Sequence, residues 1–160
     1  MNEHIIVVTG SSPITADALA AIPPAAIVLG VDGGLDVARA AGLEPSGLIG
    51  DLDSVSEVGL EWAKANATIA RHPTDKDQTD TELALAFAAD MQPSRLTMIG
   101  CGNRIDHTLA ALGAMGMPAL TTVPVLDAWW DGQHLDVIHG PSRRTLHLEQ
   151  HESRLELLGP

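Results

Sequence analysis

Aromatic and basic residues are scarce in this chain. Its 160 residues include three Trp, one Phe and no Tyr, so aliphatic side chains must build the core. Lys and Arg number 9 against 21 Asp and Glu, which gives a formal net charge of −12. Proteins that bind nucleic acid nonspecifically present a basic surface to the phosphates. The composition therefore argues against a nucleic-acid partner. It is compatible with a protein that meets an anionic substrate through metal ions and backbone N–H groups.

Cysteine and long apolar runs are scarce as well. Cys101 is the single cysteine, so no intramolecular disulfide can form and a reducing compartment is expected. No apolar run reaches the roughly 18 residues that a membrane span needs. The first residues lack the basic start and apolar stretch of a signal peptide. We therefore expect a cytoplasmic protein with no membrane partner.

Several signatures of common enzyme classes are missing too. Neither G-x-x-x-x-G-K-[ST] nor G-x-G-x-x-G occurs, which argues against a P-loop kinase and a dinucleotide-dependent oxidoreductase. The G-x-S-x-G elbow of a serine triad is absent. Seven His and one Cys show no zinc-ligand spacing.

Short apolar runs alternate with Ala- and Leu-rich segments over the first 115 residues. The predicted strands are 4–9, 26–31, 48–49, 68–70 and 95–99, and the predicted helices are 14–22, 35–41, 54–65, 80–89 and 104–115. Ser54 is the predicted N-cap of the third helix. Strands that are apolar throughout are typical of parallel sheets covered on both faces. We predict an α/β fold with a Rossmann-like, mainly parallel sheet and helices on both faces.

The pattern changes after Pro118. The later segments 121–126, 128–130, 136–139, 145–149 and 154–158 are strand-like, and no clear helix separates them. We therefore predict two domains: an α/β nucleotide-binding catalytic domain over 1–118, and a short, incomplete all-β module over 119–160.

The pair Asp51 and Asp53 directly follows a predicted strand. In an extended segment, side chains two residues apart leave the same face, so both carboxylates are expected to converge. Clustered anions need a proton or a cation between them. Mg²⁺ that carries a substrate's phosphates would meet this need.

Three further motifs lie between a predicted strand and a helix, the edge where open α/β sheets bind ligands. Asp32-Gly33-Gly34 allows close backbone approach of an anion, although alone it indicates only a turn. Thr79 and Glu82 predict a capping box, which does not explain Asp75, Lys76 and Asp77 in the same loop.

The third motif combines glycines with Arg104, whose guanidinium fits phosphate oxygens. Its alternative is an ordinary surface pair of Arg104 and Asp106, with His107 at a helix start. Four such motifs on one predicted edge favour a site for phosphates and metal.

The ordered set resembles the thiamin pyrophosphokinase family. It consists of Asp32-Gly33-Gly34, Gly50-Asp51-Leu52-Asp53-Ser54, Lys76-Asp77-Gln78-Thr79-Asp80 and Arg104-Ile105-Asp106-His107-Thr108-Leu109. The resemblance implies an α/β catalytic domain, a second β-sandwich domain and a homodimer. It also implies Mg²⁺-dependent transfer of a diphosphoryl group from the co-substrate ATP to the hydroxyl of thiamin, giving thiamin diphosphate and AMP.

By the same resemblance, the catalytic and metal-binding residues are Asp51, Asp53 and Asp80. The residues expected to contact nucleotide and phosphate are Asp32, Gly33, Gly34, Ser54, Lys76, Asp77, Gln78, Thr79, Arg104, Asp106 and His107.

The chain departs from the family pattern at two positions, where Asn103 replaces a glycine and Ala111 replaces an asparagine. The chain ends at Pro160, near the middle of the family's β domain, and Trp129 and Trp130 are candidates for its aromatic contact to thiamin. Two alternatives stay open. One is a diphosphokinase for another hydroxymethyl acceptor such as a pterin, and the other is a non-catalytic nucleotide-binding protein of the same fold.

Overall fold

The computed structural model describes residues 3–10, 12–100, 105–141 and 145. The strands are β1 (His4–Val8), β2 (Ile27–Val31), β3 (Gly47–Gly50), β4 (Thr68–Arg71), β5 (Arg95–Gly100), β6 (Val125–Trp130) and β7 (Gln133–Val137). The helices are α1 (Ala16–Ala20), α2 (Gly34–Ala40), α3 (Glu57–Asn66), α4 (Asp80–Asp90) and α5 (Ile105–Ala114), and a 3₁₀ helix covers Pro118–Thr122. None of the helices described is long and apolar enough to cross a membrane.

The seven strands form one sheet in the order β4-β3-β2-β1-β5-β6-β7. Strands β1 to β6 run parallel, and β7 pairs antiparallel with β6. The predicted mainly parallel α/β sheet is therefore confirmed. Because the parallel strands end at one edge, the loops that follow β2 and β3 are brought side by side.

Alternate residues of the buried strands pack into separate layers on the two faces. In β1, Ile5 and Val7 join a core cluster with residues of α4 and α5. Ile6 and Val8 join a cluster on the other face with residues of α1 and α2. Helices on both faces explain why these strands carry apolar side chains at every position.

The strands β6 and β7 extend the parallel sheet beyond the predicted domain boundary at residue 118. Strand β6 lies beside β5, and β7 returns along β6 as a hairpin. The strand predicted at 121–126 begins later, at Val125, since 118–122 forms a 3₁₀ helix with a proline at its start, where the fixed φ of proline favours a helical turn. The strand predicted at 136–139 lies earlier, at Gln133–Val137, where it pairs with β6. A separate β domain over 119–160 stays a prediction, because 146–149 and 154–158 lie outside the described residues.

Local capping was predicted correctly for α4 and wrongly for α3. Thr79 caps α4, and its capping box with Glu82 is complete. The N-cap of α3 is Ser56 and not Ser54; its Oγ accepts the Gly59 N–H at 2.9 Å. The carboxylate of Asp36 accepts both the N–H and the Oγ–H of Ser56 at 2.7 Å, which ties the start of α3 to α2.

Candidate active site

Three carboxylates meet at the edge where β2 and β3 end. Asp32 follows β2, Asp51 follows β3 and Asp80 is the first residue of α4. One oxygen from each lies within 4.8 Å of the others. Neighbouring parallel strands supply two of these groups, and α4 packs against β3 to supply the third.

The Asp32 carboxylate is held in one orientation by the backbone around it. Its Oδ1 accepts the Leu52 N–H at 3.0 Å, and its own N–H donates to the Ile49 carbonyl at 3.0 Å. Gly50 has a φ of +143°, and a Cβ at this position would lie 1.9 Å from Asp32 Oδ1. Asp32 can therefore reach this place only because residue 50 has no side chain.

The electrostatics of Asp32 indicate a shortage of positive charge. Burial raises its pKa to about 6, and the negative charges of Asp80, Asp51 and Asp53 add to the rise, while the hydrogen bond from Leu52 opposes it. A carboxyl group with such neighbours is stabilised by either a proton or a cation.

Asp51 differs from Asp32 in its local donors. Its Oδ1 accepts the Asp53 N–H at 3.1 Å. This bond, the Thr74 hydroxyl and the Lys76 ammonium hold the pKa of Asp51 below its ordinary value. The site thus places a firmly ionised carboxylate beside one that retains a proton more readily.

Lys76 lies beside the third carboxylate. Its Nζ is 3.0 Å from Asp80 Oδ1 and donates to the Pro73 carbonyl at 2.8 Å. Only 14% of the Lys76 side chain and 20% of the Asp80 side chain are exposed. The ammonium is therefore fixed at the border of the carboxylate cluster.

The segment from Asp51 to Asp53 is not extended, so Asp53 does not take the position that was predicted for it beside Asp51. Leu52 adopts a left-handed conformation with a φ of +71°, so Asp51 and Asp53 are not separated by an extended residue. The Asp53 side chain is exposed, and the group of three includes Asp32 in its place. A metal role for Asp53 stays a prediction.

Sequence reasoning placed Asp32 among the nucleotide contacts and missed its place in the carboxylate group. The predicted fold class already indicated that Asp32 would lie near Asp51. In a sheet where β2 pairs with β3, residues that directly follow each strand share an edge.

The glycine turn after β2 packs tightly against its surroundings. Gly34 begins α2, and a Cβ there would lie 1.9 Å from the Val8 carbonyl oxygen. The Gly33 N–H donates to Ser54 Oγ at 3.4 Å. The turn and the Asp51–Ser54 loop are thus neighbours, as the predicted phosphate site requires.

Four of the remaining predicted site residues have exposed side chains. Asp77 and Gln78 are exposed in the loop before α4, and Asp106 and His107 are exposed in the first turn of α5. Arg104 lies outside the described residues. Nucleotide contact by these five residues stays a prediction.

The carboxylate cluster fits a divalent cation with oxygen ligands. Asp32, Asp51 and Asp80 offer three converging oxygens, and Mg²⁺ prefers carboxylate and phosphate oxygens. Burial raises the pKa of Asp32 and the neighbouring carboxylates add to the rise, and a bound cation would favour the ionised form.

Comparison with known proteins assigns this architecture to a family. A family model described as thiamin pyrophosphokinase, catalytic domain, matches residues 20–125. The chain belongs to the thiamin pyrophosphokinase family. The matched segment contains Asp32, Asp51 and Asp80, so the carboxylate cluster lies within the part of the chain that the family defines.

Individual relatives agree with this assignment. The chain is 32% identical to the thiamine pyrophosphokinase of Bacillus subtilis (strain 168) over 99 residues, which are 61% of this chain and 46% of that protein. The chain thus spans about half the length of this curated relative.

Solved structures of the family share the fold. The crystal structure of a thiamin pyrophosphokinase family protein from Enterococcus faecalis has a TM-score of 0.64 at 29% identity, covering 79% of this chain and 60% of that one. The Bacillus subtilis thiamine pyrophosphokinase structure has a TM-score of 0.66 at 27% identity, with the same coverage. Thiamin pyrophosphokinase from Candida albicans, at 13% identity, still gives a TM-score of 0.66 over 81% of this chain and 59% of that one, a likeness of fold alone.

Proposed function

We propose that the chain transfers a diphosphoryl group from ATP to the hydroxyl of thiamin, giving thiamin diphosphate and AMP. The observation that carries this proposal is the convergence of Asp32, Asp51 and Asp80 at the carboxyl edge of the sheet. These carboxylates fall inside the segment that matches the family's catalytic domain. The reaction joins the thiamin oxygen to the β-phosphorus, breaks the bond between this phosphorus and the α–β bridging oxygen, and releases AMP.

Asp32, Asp51 and Asp80 would hold Mg²⁺ in this proposal, with Asp53 as a further candidate ligand. Bound Mg²⁺ offsets the negative charge of the phosphates during transfer. The ligand cluster supports this role through its geometry and through the raised pKa of Asp32.

The protein's own contribution is mainly to position the reactants. Lys76 has its ammonium beside Asp80, where it would meet a phosphate oxygen of the nucleotide. The turn Asp32-Gly33-Gly34 brings backbone close to the same edge, and Ser54 is bonded to this turn. Fixed donors of this kind lower the cost of aligning the thiamin hydroxyl with the β-phosphorus.

We extend the proposal to a homodimer, as the family resemblance implies, and to a cytoplasmic location, as the sequence composition predicts. The aromatic contact to thiamin is less well supported at Trp129 and Trp130. Trp129 lies against the ring of His134, with 5.0 Å between centroids, and Trp130 packs on the core. Both rings thus have packing partners of their own.

The test is a reaction of the protein with Mg-ATP and a panel of hydroxymethyl acceptors, including thiamin and a pterin alcohol. AMP is quantified and the products are weighed by mass spectrometry. AMP formed together with thiamin diphosphate supports the proposal. AMP formed only with the pterin would show that the acceptor is a pterin and not thiamin. Nucleotide binding without AMP formation would indicate a non-catalytic nucleotide-binding protein.

A matched pair of variants connects this activity with the carboxylate cluster. Asp51→Asn should abolish AMP formation, because it removes a carboxylate of the cluster whose pKa is held below its ordinary value by local donors. Asp90→Asn, an equal loss of charge at the exposed end of α4, should leave it unchanged. Equal rates in both variants would contradict the role assigned to the cluster.

A further inference from the structure

A second cluster of metal-ligating side chains lies on the sheet face formed by β6 and β7. It consists of Asp127, His134 and Asp136, and one ligand atom from each lies within 4.8 Å of the others. Asp127 is in the middle of β6, and the other two are on β7. The cluster is thus separate from the loops after β2 and β3, and the proposed reaction makes no use of it.

Asp127 is the fixed part of this cluster. It is completely buried, and each of its oxygens accepts a hydrogen bond from β5: Oδ1 from the Thr97 hydroxyl and Oδ2 from the Arg95 guanidinium. Thr97 Oγ1 also lies 2.8 Å from His4 Nε2. Outer partners of this kind orient metal ligands.

The three side chains share one face of the hairpin. Asp127 and Asp136 are direct partners in the antiparallel register, and His134 is two residues from Asp136 on the same face. His134 Nε2 lies 3.5 Å from Asp127 Oδ2, close to the separation of about 3.4 Å that tetrahedral bonds of about 2.1 Å give two ligand atoms. The other ring nitrogen, Nδ1, lies 3.8 Å from Asp136 Oδ2, so one of the carboxylates must move toward the nitrogen that binds the ion.

The charges also favour a cation. Two carboxylates directly opposite each other on paired strands destabilise the pairing. A cation between the two carboxylates would offset this repulsion. About a third of the His134 side chain is exposed, so an ion can reach the cluster from solvent.

We propose that Asp127, His134 and Asp136 bind a divalent transition-metal ion of the Zn²⁺ type, with solvent in the remaining position. An imidazole nitrogen with carboxylate oxygens is a ligand set for Zn²⁺ rather than for Mg²⁺. The ion joins the β7 edge to the buried carboxylate of β6. It therefore stabilises the C-terminal hairpin and takes no part in phosphoryl transfer.

The experiment is a Zn²⁺ titration of chelator-treated protein by calorimetry, with Mg²⁺ in excess to occupy the carboxylates at the other edge. One Zn²⁺ per chain is expected, and it should raise the melting temperature. His134→Gln and Asp136→Asn should each weaken binding about tenfold or more, because loss of an outer partner alone costs about 10- to 100-fold. Asp131→Asn is the matched control, since it removes a carboxylate from the turn of the same hairpin and should bind Zn²⁺ as the unmodified chain does.

Absence of Zn²⁺ binding by the unmodified chain would overturn the proposal and leave an ion-pair network. Equal binding by all four proteins would overturn it too. If a variant fails to fold, paramagnetic Co²⁺ bound to the unmodified chain gives an independent measurement. It should broaden the ring signals of His134 in NMR spectra, and sharp signals at saturation would contradict the site. None of these results depends on the proposed diphosphokinase activity.

Discussion

Asp32→Asn should make the metal-free protein more stable at neutral pH. Asparagine keeps the oxygen that accepts the Leu52 N–H and tolerates the left-handed φ of +46° at this position. It removes a negative charge that is partly buried beside two other carboxylates. The substitution therefore changes the electrostatics of the site and leaves its shape nearly intact.

The magnitude follows from the pKa of Asp32. A value of about 6 against an ordinary 3.8 corresponds to about 3 kcal/mol at 1.36 kcal/mol per unit. Because the group keeps part of its exposure, solvent screening reduces this figure to about 1–2 kcal/mol.

The sign is set by proton linkage. The folded state binds the proton more tightly than the unfolded state, so this contribution to stability is lost as the pH rises from about 4 to about 6.

The assay is urea unfolding of both proteins in EDTA, at pH values below and above this window. The free energies of unfolding of the two proteins should be similar near pH 4. Above pH 7 the free energy of unfolding of the variant should be higher by about 1–2 kcal/mol. Added Mg²⁺ should stabilise the unmodified chain and have little effect on the variant. A variant that is less stable above pH 7, or a difference that does not change with pH, would refute the reasoning. Asp90→Asn serves as the control for loss of a surface charge.

Three further substitutions test the site and its support. Gly50→Ala should destabilise the fold by about 2 kcal/mol or more and abolish Mg²⁺ binding, since its Cβ would meet Asp32 Oδ1 at 1.9 Å. Urea unfolding measures the first effect and Mg²⁺ titration the second. An unchanged urea midpoint of unfolding would contradict the contact. Thr79→Ala should cost about 1 kcal/mol in unfolding free energy, because it removes the N-cap of α4, and a loss near zero would show the capping box to be dispensable. Asp53→Asn should abolish turnover and change stability by less than about 0.5 kcal/mol, since its side chain is exposed; full activity in this variant would assign its metal role to Asp32.

Much of the sheet could be predicted from local pattern. The strands β1, β2 and β5 are short, mainly apolar runs with glycine at or close after their ends, and burial on both faces explains this composition. The capping box at Thr79 was equally predictable, because its chemistry lies within four consecutive residues.

Local sequence pattern was insufficient where nonlocal contacts decide the structure. Ser54 has the side chain of an N-cap, but Ser56 takes this position, since Asp36 from α2 accepts its N–H and hydroxyl. The place of β6 beside β5 depends on strand pairing, which periodicity cannot supply. The left-handed turn at Leu52 is unusual for a branched aliphatic residue, so the extended geometry from which the convergence of Asp51 and Asp53 was predicted is not present between them.

Leu52 also limits how far this protein can be made more rigid by design. Glycine or asparagine would relieve the cost of a left-handed backbone at this position. The leucine side chain, however, packs on the cluster formed by Leu35, Leu48 and Ala63, and its N–H holds Asp32. An engineer who replaces it to gain backbone stability thereby loosens the core beneath the carboxylates. A relaxed backbone and a packed side chain cannot both be obtained at residue 52, so substitutions that raise thermal stability are better placed outside this loop.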